Sequence, residues 1–113
     1  MNPPQNAKII STMLGIENHD ILSFYLYLDY GDSGQDAGGY ALDAWNPTKE
    51  KRIGAPKSME LIRQIIELVG VEKWEDLPGK HIRVRADNSQ VYEIGHYLND
   101  RWLNFTTFFK DTK

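Results

Sequence analysis

Alternation of apolar and polar residues predicts two neighbouring β-strands in the first part of the chain. In residues 21–30 every second residue is apolar, which is the period of a strand that buries one face. This period is expected to turn four side chains to the core: Leu22, Phe24, Leu26 and Leu28. It leaves Ser23, Tyr25, Tyr27 and Asp29 pointing outward. Residues 9–16 predict a preceding strand with Ile10, Thr12, Leu14 and Ile16 on one side, and the polar residues 17–20 predict a hairpin loop between the two.

The next segment is dominated by glycine. Residues 31–39 read Gly-Asp-Ser-Gly-Gln-Asp-Ala-Gly-Gly, which favours a loop or bulge over a helix. We expect this loop to lead into a third strand around residues 39–43. Residues 44–56 show no clear period and are expected to be irregular.

A helical period follows in residues 57–70. Ile62, Ile65, Ile66 and Val69 have the spacing of an apolar helix face, and Gly70 supplies a stop. Met59, Leu61 and Leu68 are expected to widen the buried stripe. Such a helix is expected to cover a sheet.

The last third of the chain predicts a second hairpin. Ile82 and Val84 face inward in residues 81–85, residues 87–90 turn the chain, and a strand follows in residues 91–98. The aromatic C-terminus is expected to dock as an edge strand or a short helix. The fold class is therefore α+β, with about five antiparallel strands packed against one main helix at about residues 57–70.

Length and composition favour one globular domain over residues 1–113, with residues 1–7 irregular. No apolar run is long enough to span a bilayer, and the N-terminus lacks the pattern of a secretory signal. The chain has no cysteine, which excludes thiolate nucleophiles and agrees with a cytoplasmic location. We expect no cofactor and no metal.

Charge is distributed unevenly along the chain. Residues 9–48 contain no lysine or arginine but six carboxylates, whereas residues 44–113 carry a small positive excess. The acidic stretch also holds four of the six tyrosines. Tyrosine is enriched in protein interfaces, and acids attract a basic partner. The predicted partner-binding residues are Tyr25, Tyr27, Asp29, Asp32, Asp36, Tyr40 and Asp43. An inert solvated face is an equally good interpretation of the same pattern.

A smaller basic strip provides an alternative. Cations that track phosphates and aromatic rings that stack bases are typical of single-strand nucleic-acid binding. The residues of this kind are Lys80, Arg83, Arg85, Tyr92 and Tyr97. The low isoelectric point weighs against nucleic acid, and Glu93 offers a counter-charge that would make the strip an ordinary solvated face.

No set of residues specifies a reaction. The glycine segment does not have the spacing of a phosphate-binding loop and carries acids where a phosphate needs cations. Its aspartates lack the spacing of a calcium loop, and His19, His81 and His96 lack metal-ligand spacing. His96 is in phase with apolar neighbours, which favours a structural histidine. The chain is therefore expected not to be an enzyme.

Three segments resemble a family of small proteins from phage and prophage accessory regions. They are residues 38–43 (Gly-Gly-Tyr-Ala-Leu-Asp), residues 69–80 and residues 94–96 (Ile-Gly-His). The resemblance implies an inhibitor of host defence, including the anti-CRISPR proteins, that binds a host or phage protein with a basic surface in the host cytoplasm. The succession of helix, Leu-Pro-Gly-Lys and strand is also similar to OB-like phage single-strand-binding proteins, which implies the nucleic-acid alternative.

Overall fold

The computed structural model of the protein describes residues 3–17 and 19–110. Strands and helices occur in separate runs, which is the order of an α+β fold, as the sequence predicts, and the main sheet has six strands where about five were expected. The N-terminal elements are β1 (Gln5–Ile16), β2 (Leu22–Asp29), β3 (Gly34–Ala41), β4 (Asp43–Asn46) and β5 (Lys51–Gly54). They are followed by α1 (Ser58–Val69), a 3₁₀ turn (Trp74–Asp76), β6 (His81–Ala86), β7 (Val91–Gly95), β8 (Trp102–Asn104) and α2 (Phe105–Lys110). Within the described ranges no helix has the length and apolar character required to cross a bilayer.

Six strands form one antiparallel sheet in the order β3-β2-β1-β6-β7-β8, and β4 and β5 form a separate hairpin. The first strand is the centre of the sheet because its two halves pair with different neighbours. Its N-terminal part pairs with β6, from Gln5 opposite Val84, and its longer C-terminal part pairs with β2. Both predicted hairpins, β1–β2 and β6–β7, are confirmed.

The sheet curls until β3 faces the β6–β7 turn. No ladder hydrogen bonds join β3 to β7, but the Gln35 side-chain amide donates to the backbone oxygen of Asp87 at 2.9 Å. Strands β1, β2, β3, β6 and β7 therefore form an incompletely closed barrel, and β8 is added along β7. We call the gap between β3 and residues 86–91 the seam.

Alternation in β2 produces the core as predicted. Phe24, Leu26 and Leu28 are almost fully buried, and Leu22 is half-buried against them. Phe105 from α2 packs on Phe24, with ring centroids 6.0 Å apart. The predicted aromatic closure of the C-terminus is therefore confirmed, and it uses both a short strand and a short helix.

A β-bulge on β1 and the burial of Ser23 on β2 overturn individual predictions. The register of β1 against β2 shifts between Ile9 and Ser11, so Ile9 is buried and Ile10 is 55% exposed. Ser23 was expected to point outward but is fully buried. A second register shift, between Ser23 and Tyr25, accompanies this burial, and the Ser23 hydroxyl donates to the Tyr40 carbonyl at 3.2 Å.

The glycine segment was predicted as a loop or bulge, and most of it is strand, with a bulge-like register shift against β2 between Ser23 and Tyr25. Residues 34–41 form β3, which begins five residues before the predicted third strand. Glycine suits this position because the strand passes close to β2: a Cβ on Gly38 would lie 2.5 Å from the Phe24 carbonyl oxygen. The prediction that residues 44–56 are irregular is also wrong, because β4 and β5 form a hairpin there.

The helix prediction is confirmed within one residue at each end. Gly70 adopts the left-handed conformation that stops α1, with φ of +90°. The buried face of α1 includes Leu61, Ile65 and Leu68. Met59 is an exception to the predicted stripe, since its position in the first turn leaves it 72% exposed.

Candidate functional site

The outward row of β2 presents two stacked tyrosines. Tyr25 and Tyr27 lie two residues apart on the strand, and their ring centroids are 6.0 Å apart with an interplanar angle of 14°. Directly opposite them on β3 are Gly38 and Asp36. Gly38 places no side chain against Tyr25, and both tyrosines are half-buried.

Carboxylates surround this pair of rings. The charge of Glu17 is the main cause that raises the pKa of the Tyr25 hydroxyl above its ordinary value of 10.0. Partial burial and the nearby Tyr27 and Asp36 raise that pKa further. The raised pKa indicates a negative electrostatic potential around the Tyr25 hydroxyl. We call Glu17, Tyr25, Tyr27, Asp29 and Asp36 the acidic tyrosine face.

The two acids at the β2–β3 turn differ in their contacts with the rest of the protein. Asp29 accepts a hydrogen bond from the Gly31 backbone at 2.9 Å and so stabilises the β2–β3 turn. Asp32 is exposed within that turn. Lys8 pairs in register with Asp29 and marks the border of the acidic region on β1.

Two predicted partner-binding residues lie elsewhere. The Tyr40 ring packs against Phe105 and Phe109, with centroids 5.2 and 4.9 Å away, so it belongs to the aromatic core. Its burial raises the pKa of its hydroxyl. Both glycines before Tyr40 have positive φ, and the register of β2 against β3 shifts beside them, which interrupts the strict alternation.

Asp43 is also a structural residue. Its carboxylate accepts a 2.7 Å hydrogen bond from Arg52 and a 3.0 Å bond from the Leu22 backbone, and its side chain is 6% exposed. The hydrogen bonds from Arg52 are the main reason that the pKa of Asp43 is lowered. Asp43 therefore ties β4 to β5 and β2.

The arginines of the alternative basic strip are used within the fold. Arg83 donates to the backbone oxygens of His96 and Asn99, at 2.9 and 2.7 Å. Arg85 lies 3.4 Å from Glu93, and its guanidinium sits over the Trp102 ring at 4.1 Å from the centroid. These contacts agree with the interpretation of Glu93 as a cross-strand counter-charge.

The other members of the strip do not converge on one surface groove. Tyr92 donates a hydrogen bond to Asp87 in the β6–β7 turn. Tyr97 is 40% exposed beside His81, and Lys80 is exposed just before β6. His96 accepts two backbone hydrogen bonds at its Nδ1 atom, from Leu98 and Asn99, which fits the predicted structural histidine.

Two hollows flank the Gln35–Asp87 hydrogen bond along the seam. One, of about 710 Å³, is lined by the N-terminal prolines, β3 and the β6–β7 turn. The other, of about 390 Å³, lies between β3 and residues 89–91 and includes Tyr25 and Asp36. The described part of the chain contains no group of three histidines or carboxylates placed to hold a metal ion.

Glu17 is the member of the face that the sequence reasoning missed. It was assigned only to a polar loop, although the hairpin register identifies its direction. Met13 lies opposite Tyr25 and Gly15 opposite Ser23, so Glu17 continues the same alternate set of positions. Alternation carried through the turn would have found it.

Comparison of the chain with protein-family models, curated protein sequences and solved structures found no match.

Proposed function

We propose that this protein is a non-enzymatic, phage-encoded binding module that docks a basic surface of a host or phage protein through its acidic tyrosine face. An inhibitor of host defence, such as an anti-CRISPR protein acting in the host cytoplasm, is the kind of protein that this fits. The phage context rests on the sequence resemblance. The stacked pair Tyr25 and Tyr27 beside the unpaired Asp36 is the observation that carries the docking surface.

Aromatic area and charge have separate roles at such a surface. Tyrosine supplies a large contact area with few rotatable bonds, so little side-chain entropy is lost when a partner covers it. Carboxylates without a neighbouring cation increase the association rate of a basic partner. Asp36 forms no hydrogen bond or ion pair within the described residues, so its charge is available.

Affinity capture with a charge-reversal variant tests this face. The test variant replaces Glu17, Asp32 and Asp36 with lysine, and leaves Asp29 in place because it stabilises a turn. The partner is first identified by mass spectrometry of proteins captured from an infected bacterial host. Its affinity is then expected to fall at least tenfold in the variant, a loss of about 1.4 kcal/mol or more.

A matched control removes the effect of total charge. Glu72, Glu75 and Asp76 are exposed acids at the 3₁₀ turn, and replacing all three with lysine changes the net charge by the same amount. The control is expected to bind like the wild type. Equal binding by the wild type and both variants would refute docking through the acidic tyrosine face.

A nucleic-acid-binding module is the second candidate, and strand connectivity favours it. Three antiparallel strands, a helix and two further strands form a partly open barrel, in which β6 pairs with β1 and β7 pairs with β6. This is the architecture of OB folds. OB folds bind oligonucleotides on the face of strands 2 and 3. In this chain that face carries Tyr25 and Tyr27 but also Glu17 and Asp36, whose charges repel phosphate.

Fluorescence anisotropy separates the two candidates. Labelled single-stranded DNA and RNA are titrated with the protein at low salt, where phosphate contacts are strongest. We expect no binding. Saturable binding that is lost when Lys80 is replaced by glutamate would favour the nucleic-acid function instead.

A further inference from the structure

We propose that the smaller seam hollow is the anchor of the docking surface and receives the side chain of an arginine from the partner. This site depends on the proposed function, because it lies at the β3 edge of the acidic tyrosine face. Tyr25 and Asp36 belong to both. The hollow is a concave feature beside the tyrosine rings.

The two seam hollows differ in their free hydrogen-bonding capacity. Asp87 is the charged residue of the larger hollow, and its carboxylate already accepts hydrogen bonds from Tyr92, Ser89 and the Gln90 backbone. Asp36 is the charged residue of the smaller hollow, and no described residue donates to its carboxylate. Of these two hollows, the smaller one therefore combines a cavity with a carboxylate that has no hydrogen-bond donor among the described residues.

The walls of this hollow suit a guanidinium group better than an ammonium group. Guanidinium is planar, pairs with a carboxylate through two parallel hydrogen bonds and packs against aromatic rings. Asp36 supplies the carboxylate and Tyr25 the ring, from adjacent strands of one sheet. Lysine offers a point charge that uses the ring less well.

Glycine at positions 38 and 39 keeps the hollow open. A Cβ at Gly39 would lie 3.1 Å from both Cε1 and the hydroxyl oxygen of Tyr25. A larger residue would therefore displace the tyrosine ring and fill the space beside Asp36. Arginine and tyrosine anchored in pockets commonly supply most of the binding energy of an interface.

Nuclear magnetic resonance titration of the full chain tests the hollow with a defined probe. The probe is arginine capped at both ends, and the comparators are capped lysine and capped citrulline, which keeps the shape of arginine without its charge. We expect saturable shifts at the amides of Gly38, Gly39 and Ser89 with the arginine probe. Lysine is expected to bind several-fold more weakly, and citrulline to cause no saturable shift.

Two neutralised variants identify the carboxylate responsible. Asp36→Asn is expected to weaken arginine binding at least tenfold, whereas Asp32→Asn removes the same charge from outside the hollow and is expected to leave binding unchanged. The dispersion of the same spectra reports whether each variant is folded. Equal weakening by both variants, or the absence of saturable shifts in the wild type, would overturn the arginine site.

Partner capture then distinguishes failure of the hollow from failure of the face. If Asp36→Asn keeps full affinity for the captured partner while the triple lysine variant loses it, the face stands and the hollow is refuted. If neither variant loses affinity, the docking function itself is refuted. Loss of at least tenfold in both is the result expected.

Discussion

Replacing Gly38 with alanine tests whether the glycine segment is a strand packed on β2 or a solvated loop. Gly38 has φ of +115°, a conformation that costs an L-residue about 1–2 kcal/mol. The new Cβ would also lie 2.5 Å from the Phe24 carbonyl oxygen, which is main chain and cannot rotate away. Overpacking of this kind costs about 1–3 kcal/mol. The total expected loss of stability is therefore about 2–5 kcal/mol.

Gly31→Ala is the matched control for backbone strain. Gly31 has a similar φ of +108°, but nothing lies within 4 Å of its added Cβ. Its expected cost is the backbone part alone, about 1–2 kcal/mol. Any effect of alanine on the unfolded chain is shared by both variants and cancels in their difference.

Urea unfolding followed by tryptophan fluorescence measures this difference. Small domains lose about 1–3 kcal/mol of stability per molar urea, so the Gly38→Ala midpoint is expected about 1 M below that of Gly31→Ala. Equal midpoints would refute the close approach of β3 to β2. They would support the solvated loop that the sequence pattern suggested.

Four further predictions concern charge and packing. The pKa of Asp87 is held below its ordinary value of 3.8 by the hydrogen bonds that its carboxylate accepts, so its contribution to stability is present above pH 3.8 and lost as the pH falls further. Asp87→Asn is expected to make the melting temperature fall less steeply with decreasing pH below pH 3.8. A melting temperature that falls as steeply as in the wild type would contradict this. Glu17→Gln is expected to lower the pKa of Tyr25 toward 10.0 in a tyrosinate absorbance titration, because the main charge that raises it is removed; a Tyr25 pKa that stays in place would assign the shift to another cause. Phe105→Ala is expected to cost about 3–5 kcal/mol in urea unfolding because this ring is fully buried. Met59→Ala is expected to stay within about 0.5 kcal/mol because its side chain is exposed, and a large loss there would restore the originally predicted helix stripe.

Elements with a strong local period were predictable from the sequence. The alternation in β2 and the apolar stripe with terminal Gly70 in α1 both survive in the structure. A strand or helix that buries one face has apolar residues at regular intervals along the chain. Such an element can therefore be predicted without knowledge of the rest of the fold. The α+β class followed from the same patterns.

Elements that are stabilised by contacts with a distant strand were not predicted from the sequence. Glycine in β3 signals a loop by composition, but here it permits close contact with the β2 backbone, which only the strand pairing shows. The hairpin of β4 and β5 has four-residue strands that are too short for a clear period. A bulge on β1 moves Ile10 to an unexpected side because one inserted residue reverses the alternation. Ser23 keeps its place in the alternation of β2 but is buried, and its hydroxyl donates to the Tyr40 carbonyl.

The sequence by itself determined the acidic, lysine-free stretch and the outward direction of Tyr25 and Tyr27, since both depend on neighbours along the chain. Only the tertiary structure decided which charges remain available. Asp43 is neutralised by Arg52, and Arg85 is paired with Glu93. Asp36 has no such counter-charge within the described residues. Whether a charge is free depends on the residues that strand register brings beside it, and that information is not contained in a local pattern.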